Sequence, residues 1–216
     1  MECHQTTSSN SSARPGSAES SSKGEGEEMR LVDLYGGAMK ASLPPRFFDA
    51  SNVRHVPDHQ EVFTDSNTDQ ALIFEIVSHV SDVPDAEAAG FHFREIAATN
   101  DSLDQMQIAE IINLTPGHLP SLRSPHNLFA SAAVGLQSVS KFRETARNTV
   151  KVFVATLRIP SISTEILVSL TTPISIHPES SSALSFVPNS ETEDPSRLFF
   201  SVLSSLSVID WGLFCP

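Results

Sequence analysis

The feature that most constrains the fold is a pair of β-forming runs that lie close together along the chain. Residues 149–159 (TVKVFVATLRI) and 164–171 (TEILVSLT) are rich in Val, Ile, Leu and Thr, a composition typical of strands. The link between them begins at Pro160 and is far too short for the crossover that parallel strands require. The two runs are therefore predicted to pair as antiparallel neighbours.

A second antiparallel pair is predicted near the start of the chain. Residues 30–35 and 38–43 flank Gly36-Gly37, and two glycines between such runs are typical of a β-hairpin because both tolerate positive φ. Other elements expected before residue 143 are strands over 61–65, 105–114 and 130–142, and a short helix over 50–53 capped by Asp49.

Apolar spacing predicts three longer helices. Over 68–80 the apolar residues recur at i, i+1, i+4, i+5 and i+8, and Thr68 or Asp69 is the expected cap. Residues 85–97 and 195–208 also show helical spacing. The predicted fold class is α/β (α+β): a central twisted, mostly antiparallel sheet with helices packed on both faces.

The chain is predicted to hold one domain and a tail. Residues 1–28 are rich in Ser, Gly and Glu and contain no aromatic or β-branched apolar residue, so they are expected to be disordered. Residues 29–216 are expected to form a single domain, with a flexible Ser/Pro-rich loop near 176–194.

Charge narrows the classes of partner. The formal net charge is −12, which disfavours binding to nucleic acid or to anionic lipid and favours a basic protein surface. The same charge would equally serve to keep a protein soluble, so charge alone leaves both interpretations open. A monomer is the default expectation.

The lack of recognisable targeting signals and the cysteine pattern indicate a cellular location by elimination. The N-terminus has no apolar signal region, and no stretch approaches the roughly 18 apolar residues of a membrane span. Cys3 and Cys215 lie in no metal-binding pattern, so free thiols and no structural zinc are expected. The expected location is the nucleus and cytoplasm, without membrane insertion.

Sequence motifs of catalysis are absent. The chain has no phosphate-binding loop, no nucleophile elbow and no dinucleotide-binding glycine pattern, so neither an enzyme nor a cofactor is expected. His92, between two phenylalanines, is expected to be a satisfied half-buried residue. The cluster of His55, Asp58, His59 and Glu61 has the ligand types of a metal site or an acid/base pair, but Pro57 favours a charged surface loop.

The segment 34–80 carries a family resemblance. Its pieces are LYGGA at 34–38, LPP at 43–45, Asp49 followed by Arg54, then VPD at 56–58, QEVF at 60–63 and TDQ at 68–70. Weaker matches are FHF at 91–93, the run 154–159 and the run 164–170. Together they resemble the Ran guanine nucleotide release factor family over most of 31–214.

The resemblance implies an α/β/α sandwich of the PsbP-like type, binding to the small GTPase Ran, nucleotide release and a role in nuclear protein import. Acidic residues of the family's PDxQEV segment contribute to Ran binding and fall here on Asp58 and Glu61. We extend the expected Ran-binding set to Gln60, Arg54 and Asp49.

Three alternatives remain open at this point. The domain could be an adaptor that binds Ran or another protein without releasing nucleotide. It could be a photosystem-associated subunit of the PsbP-like type, although the nearly complete PDxQEV pattern disfavours this. It could also be an enzyme that uses His55 and Asp58.

Overall fold

The structure, a computed structural model, describes residues 28–140, 145–184 and 194–214. The predicted tail, apart from Glu28, lies outside these residues, as do Cys3, Cys215 and the second half of the Ser/Pro-rich loop. Within the described part of that loop, Ser182 is buried and its hydroxyl donates to Asp69 Oδ2 at 2.7 Å.

The described strands form two sheets in which every neighbouring pair is antiparallel. The smaller sheet has the order β1-β2-β10 and the larger β3-β4-β5-β9-β8-β7-β6. The strands are β1 (Arg30–Leu34), β2 (Met39–Leu43), β3 (Phe48–Asp49), β4 (Gln60–Asp65), β5 (Gln70–Ser78), β6 (Met106–Asn113), β7 (Phe129–Ser140), β8 (Arg147–Ile159), β9 (Thr164–Ser175) and β10 (Ser207–Val208).

The two pairings predicted first are confirmed. β8 and β9 pair antiparallel from Ile159 opposite Thr164 outwards, and they form the middle of the larger sheet. β1 and β2 form the expected hairpin around the two glycines. The mostly antiparallel sheet of the predicted α+β class is therefore present.

The helix predicted over 68–80 is wrong, because this segment is strand β5. Its apolar residues also satisfy strand alternation: Leu72 and Phe74 are fully buried, while Ile73 between them is half-buried. Pairing with β4 on one side and β9 on the other fixes the extended form. The proposed cap Asp69 instead has φ 56° in the turn between β4 and β5.

Two α-helices complete the described fold, α1 (Ala88–Thr99) and α2 (Pro195–Ser205). α1 packs through Phe93 in a cluster that includes Val152 and Val154 of β8. α2 contributes to a larger cluster that includes Phe153 of β8 and residues of the smaller sheet. Alternate residues of one central strand thus feed two apolar clusters. No helix among the described residues is long and apolar enough to cross a membrane.

Candidate partner-binding surface

All five residues that the sequence points to lie on one antiparallel hairpin at the margin of the larger sheet. We call residues 48–65 the acidic hairpin: it comprises β3, a 3-10 helix over Ala50–Asn52, a connecting loop and β4. β3 is the outermost strand and pairs with β4, Asp49 lying opposite Phe63. The fold therefore brings the predicted set together on one element.

Asp49 has a local structural role at the start of the 3-10 helix. Its Oδ1 accepts a hydrogen bond from the backbone N–H of Ser51 at 2.8 Å, so the predicted cap is confirmed. The backbone N–H groups of Val53 and Arg54 both donate to the carbonyl of Ala50, each at 3.0 Å. These bonds fix the chain as it enters the loop, and the Arg54 side chain is exposed.

Asp58 lies in a tight turn at the far end of the loop. The N–H of Gln60 donates to the carbonyl of Pro57 at 2.9 Å and closes this turn. Asp58 is exposed, and its carboxylate has no hydrogen bond or ion pair among residues 28–140, 145–184 and 194–214. It therefore carries an unpaired negative charge at the surface.

Glu61 is half-buried and lies in strand β4, so this member of the histidine and carboxylate cluster is not in the predicted charged surface loop. Its Oε1 accepts a hydrogen bond from the backbone N–H of Tyr35 at 2.6 Å. Gln60 is also held, because its Nε2 donates to Glu75 Oε1 on β5 at 2.9 Å. Replacing Glu61 will therefore disturb a structural contact as well as any contact with a partner.

Tyr35 reaches the acidic hairpin from the smaller sheet. Its hydroxyl lies 3.0 Å from the carbonyl oxygens of both His59 and Phe74, to either of which it can donate its proton. The residue has φ 50° and is followed by Gly36 and Gly37, also at positive φ. A left-handed backbone costs a residue with a Cβ about 1–2 kcal/mol, so the hydrogen bonds of Tyr35 must hold it there.

The metal interpretation of the histidine and carboxylate cluster finds no support in the arrangement. His59 Nε2 lies 3.4 Å from Glu75 Oε1, whereas Glu61 turns to Tyr35. No group of three or more metal-ligating side chains occurs within the described ranges. The geometry instead offers carboxylates for charge-assisted hydrogen bonds to a cationic surface.

A second charged cluster is buried where β8 ends and β9 begins, with Arg158 opposite Glu165. Glu165 is fully buried, and its Oε1 accepts from Arg158 Nε at 3.0 Å and from the Val80 N–H at 2.9 Å. The second carboxylate oxygen lies 2.6 Å from His92 Nε2. His92 is thus satisfied, as the sequence predicts, but it is buried rather than half-buried.

The electrostatics of this cluster are set by competing effects. Burial by itself raises the pKa of Glu165. The hydrogen bonds from His92 and Val80, together with the positive charges of His92 and Arg158, outweigh burial and lower the pKa from 4.5 to about 2. The carboxylate is therefore ionised at neutral pH and anchors the segment that follows β5.

Comparison with known proteins identifies similar sequences over most of the chain. A family model described as Ran-interacting Mog1 protein matches residues 32–173. The chain is 36% identical to the Ran guanine nucleotide release factor of Danio rerio over 185 residues, covering 84% of this chain and 97% of that protein. It is 34% identical to the nuclear import protein mog1 of Schizosaccharomyces pombe, covering 77% and 87% of the two chains.

A solved structure shares the fold. The crystal structure of the Saccharomyces cerevisiae Ran-binding protein Mog1p superposes with a TM-score of 0.62 at 21% identity, and the match covers 88% of this chain and 100% of that one. At this identity the likeness concerns the arrangement of strands and helices.

Proposed function

Since the chain belongs to the Ran-interacting Mog1 family, we propose that it binds the small GTPase Ran, promotes release of its guanine nucleotide and supports nuclear protein import. The observation that carries the proposal is the acidic hairpin, which presents the unpaired carboxylate of Asp58 beside the anchored Glu61. Relatives that match nearly end to end are named as release factors and as nuclear import proteins.

The proposed action is binding rather than bond chemistry. A release factor must bind nucleotide-free Ran more tightly than nucleotide-bound Ran, and linkage requires that nucleotide weakens the factor by the same ratio. Each tenfold loosening of nucleotide requires about 1.4 kcal/mol of differential binding. Carboxylates supply such energy by pairing with basic groups that otherwise hold phosphate or a neighbouring segment of the GTPase.

We propose Asp58, Glu61, Gln60, Arg54 and Asp49 as the Ran-binding set, with unequal roles. The side chains of Asp58 and Arg54 are exposed and have no hydrogen bond or ion pair with another described residue, so we assign them direct contact with the partner. Asp49 and Gln60 hold the two ends of the loop through their own hydrogen bonds. Glu61 serves both purposes, since one carboxylate oxygen is bonded to Tyr35.

Further parts of the proposal concern the whole protein. We propose that it acts as a monomer in the nucleus and cytoplasm, without a cofactor and without binding nucleic acid, consistent with the net charge of −12. We also propose a three-layer α/β/α arrangement, which is supported by the sharing of alternate β8 residues between the clusters of α1 and α2. Membership of the Mog1 family favours these roles over that of a photosystem subunit.

The deciding experiment is release of labelled GTP and GDP from purified Ran, with and without this protein. We expect faster release with the unaltered chain, and Asp58→Lys should weaken Ran affinity at least about tenfold by titration calorimetry. Glu110→Lys, an equal change of charge at an exposed site on β6, should stay within about twofold. Binding without accelerated release would identify an adaptor, and no binding in any loading state would refute the proposal.

A further inference from the structure

Tyr35 makes contacts that join the smaller sheet to the larger one. It follows β1 in the smaller sheet, yet its backbone N–H and its hydroxyl both reach the acidic hairpin of the larger sheet. The two contacts bracket Gln60, because one ends on the His59 carbonyl and the other on the Glu61 carboxylate. A single residue thus holds the stretch from His59 to Glu61, directly after Asp58, through two contacts.

The hydroxyl contact depends on Tyr35 keeping its proton. Burial, followed by the negative charges of Glu61 and Glu75, raises the pKa of the phenol well above its ordinary value. The hydroxyl is therefore a permanent donor across the physiological range of pH. The His59 carbonyl that it meets also accepts from the N–H of Ile76 at 2.9 Å, so Tyr35 supports the pairing of β4 with β5 where that pairing begins.

The backbone of Tyr35 gives an independent indication. It lies in the left-handed region, at φ 50°, directly before Gly36 and Gly37, which are also at positive φ but adopt it without the strain that a Cβ brings. Strain of this kind persists where surrounding contacts determine the conformation, and it concentrates at binding sites. Here the left-handed turn is what directs the N–H of Tyr35 at Glu61.

We propose that Tyr35 is a positioning residue for partner binding: from the smaller sheet it fixes the His59 carbonyl and the Glu61 carboxylate, and so sets the direction in which Asp58 and Glu61 meet a cationic surface. This inference rests on the proposed function of the acidic hairpin. Its physical basis is pre-organisation, because a loop already held in the bound geometry loses less conformational freedom on association.

The first test is Tyr35→Phe, which removes the hydroxyl and keeps the ring. We expect Ran affinity, measured by titration calorimetry, to fall about fivefold through the loss of pre-organisation. The control is Ser102→Ala. Ser102 is a buried residue near the opposite margin of the larger sheet, and its hydroxyl lies 3.1 Å from the Ala97 carbonyl and 3.5 Å from Gln137 Oε1. Ser102→Ala should remain within about twofold of the unaltered protein.

A double-mutant cycle separates positioning from a general loss of stability. If Tyr35 acts through the segment that carries Asp58, the effect of Tyr35→Phe should be clearly smaller in an Asp58→Ala background, where only the part exerted through Glu61 remains. Effects that multiply would show that Tyr35 acts independently of Asp58, and the proposal would be wrong.

Hydrogen exchange of the free protein provides a readout that does not involve Ran. In Tyr35→Phe, the Ile76 amide, which donates to the His59 carbonyl, should exchange at least about fivefold faster, whereas the Val154 amide in central strand β8 should follow global stability alone. Unchanged exchange at Ile76 would overturn the positioning role, whatever the binding result.

If the unaltered chain binds Ran and Tyr35→Phe binds equally well, the positioning role alone falls. If the unaltered chain binds no form of Ran, the proposed function falls as well.

Discussion

Glu165 illustrates how a full charge is accommodated at zero exposure. A buried carboxylate is tolerated when its lone pairs are occupied and an opposite charge is adjacent, and Glu165 meets both conditions through Val80, His79, His92 and Arg158. Arg158 in turn donates to the Val83 carbonyl and to Asp85 Oδ1, each at 2.7 Å. The cluster thereby attaches the segment after β5 to the end of β8.

Stability should fall in acid because of this residue. The pKa of Glu165 is depressed from 4.5 to about 2 in the folded state. Its contribution is therefore complete above pH 4.5 and is lost as the pH falls towards 2, a change of about 3 kcal/mol in the free energy of unfolding. Urea unfolding at a series of pH values should show this dependence in the unaltered protein and its absence in Glu165→Gln.

Two variants serve as controls for this measurement. Glu110→Gln, at an exposed site, should leave the acid dependence unchanged. His92→Gln, which keeps a hydrogen-bond donor but loses the imidazole, should retain part of the dependence. An acid profile of Glu165→Gln that parallels the unaltered protein would contradict the assignment.

Residue roles differ in how far the sequence could reveal them. Asp58 and Glu61 were picked out through the resemblance to the family's PDxQEV segment, and their binding role stays a prediction. Tyr35 could not be picked out, because the contact depends on a left-handed turn that aims its N–H across to another sheet. The same holds for Glu165 and Arg158, whose partners come from distant parts of the chain.

Among the elements, β6 and β7 depend on a close backbone approach. A Cβ placed on Gly135 would lie 2.1 Å from the backbone oxygen of Gln107 on β6 and 2.8 Å from Phe93 Cζ on α1. Backbone atoms cannot yield cheaply at such distances, so this position on β7 admits glycine alone without rearrangement of strand or helix.

Gly135→Ala should therefore destabilise the protein by at least about 2 kcal/mol through overpacking. Gly117→Ala is the matched control: its added Cβ would lie 3.5 Å from Thr115 Oγ, an ordinary contact, and should change stability by less than about 0.5 kcal/mol. Urea unfolding measures both. Equal stability of the two variants would show that β6 can move away from β7 at little cost.

Element types were predictable where the apolar pattern allowed one solution. β8 and β9 were recoverable because a short link between two strand-like runs permits hardly any other pairing. β5 was mistaken for a helix because its apolar residues fit both periods. Its pairing with β4 on one side and with the distant β9 on the other decides the matter, and the local apolar pattern does not reveal that pairing. β10 has only two residues and pairs with β2, which is distant in sequence, so no local sequence pattern predicts it.

For the whole molecule, the decisive feature is the apolar cluster shared by the two sheets. Leu43 of β2 belongs to the same cluster as Phe74 of β5, Phe153 of β8 and Phe199 of α2. The smaller sheet thus has no separate interior among the described residues and depends on the larger sheet for its burial. Cooperative unfolding of both sheets is the physical consequence.

Unfolding should accordingly occur in a single transition. Trp211, the one tryptophan, packs against the shared cluster, so its fluorescence should give the same urea midpoint as far-ultraviolet circular dichroism. Leu43→Ala should lower both midpoints together, at a cost of about 2–5 kcal/mol. Separate midpoints, or a shift confined to one probe, would show that the sheets unfold independently.

The placement of the acidic hairpin has an evolutionary consequence. Residues 53–59 contribute no side chain to either apolar cluster, and β4 alone joins the outermost strand to the rest of the sheet. Under the proposed role of the acidic hairpin, substitutions there would retune which surface is recognised while the interior is left undisturbed. Transplanting the corresponding stretch from a relative would then exchange specificity between orthologues as a unit, with the scaffold unchanged.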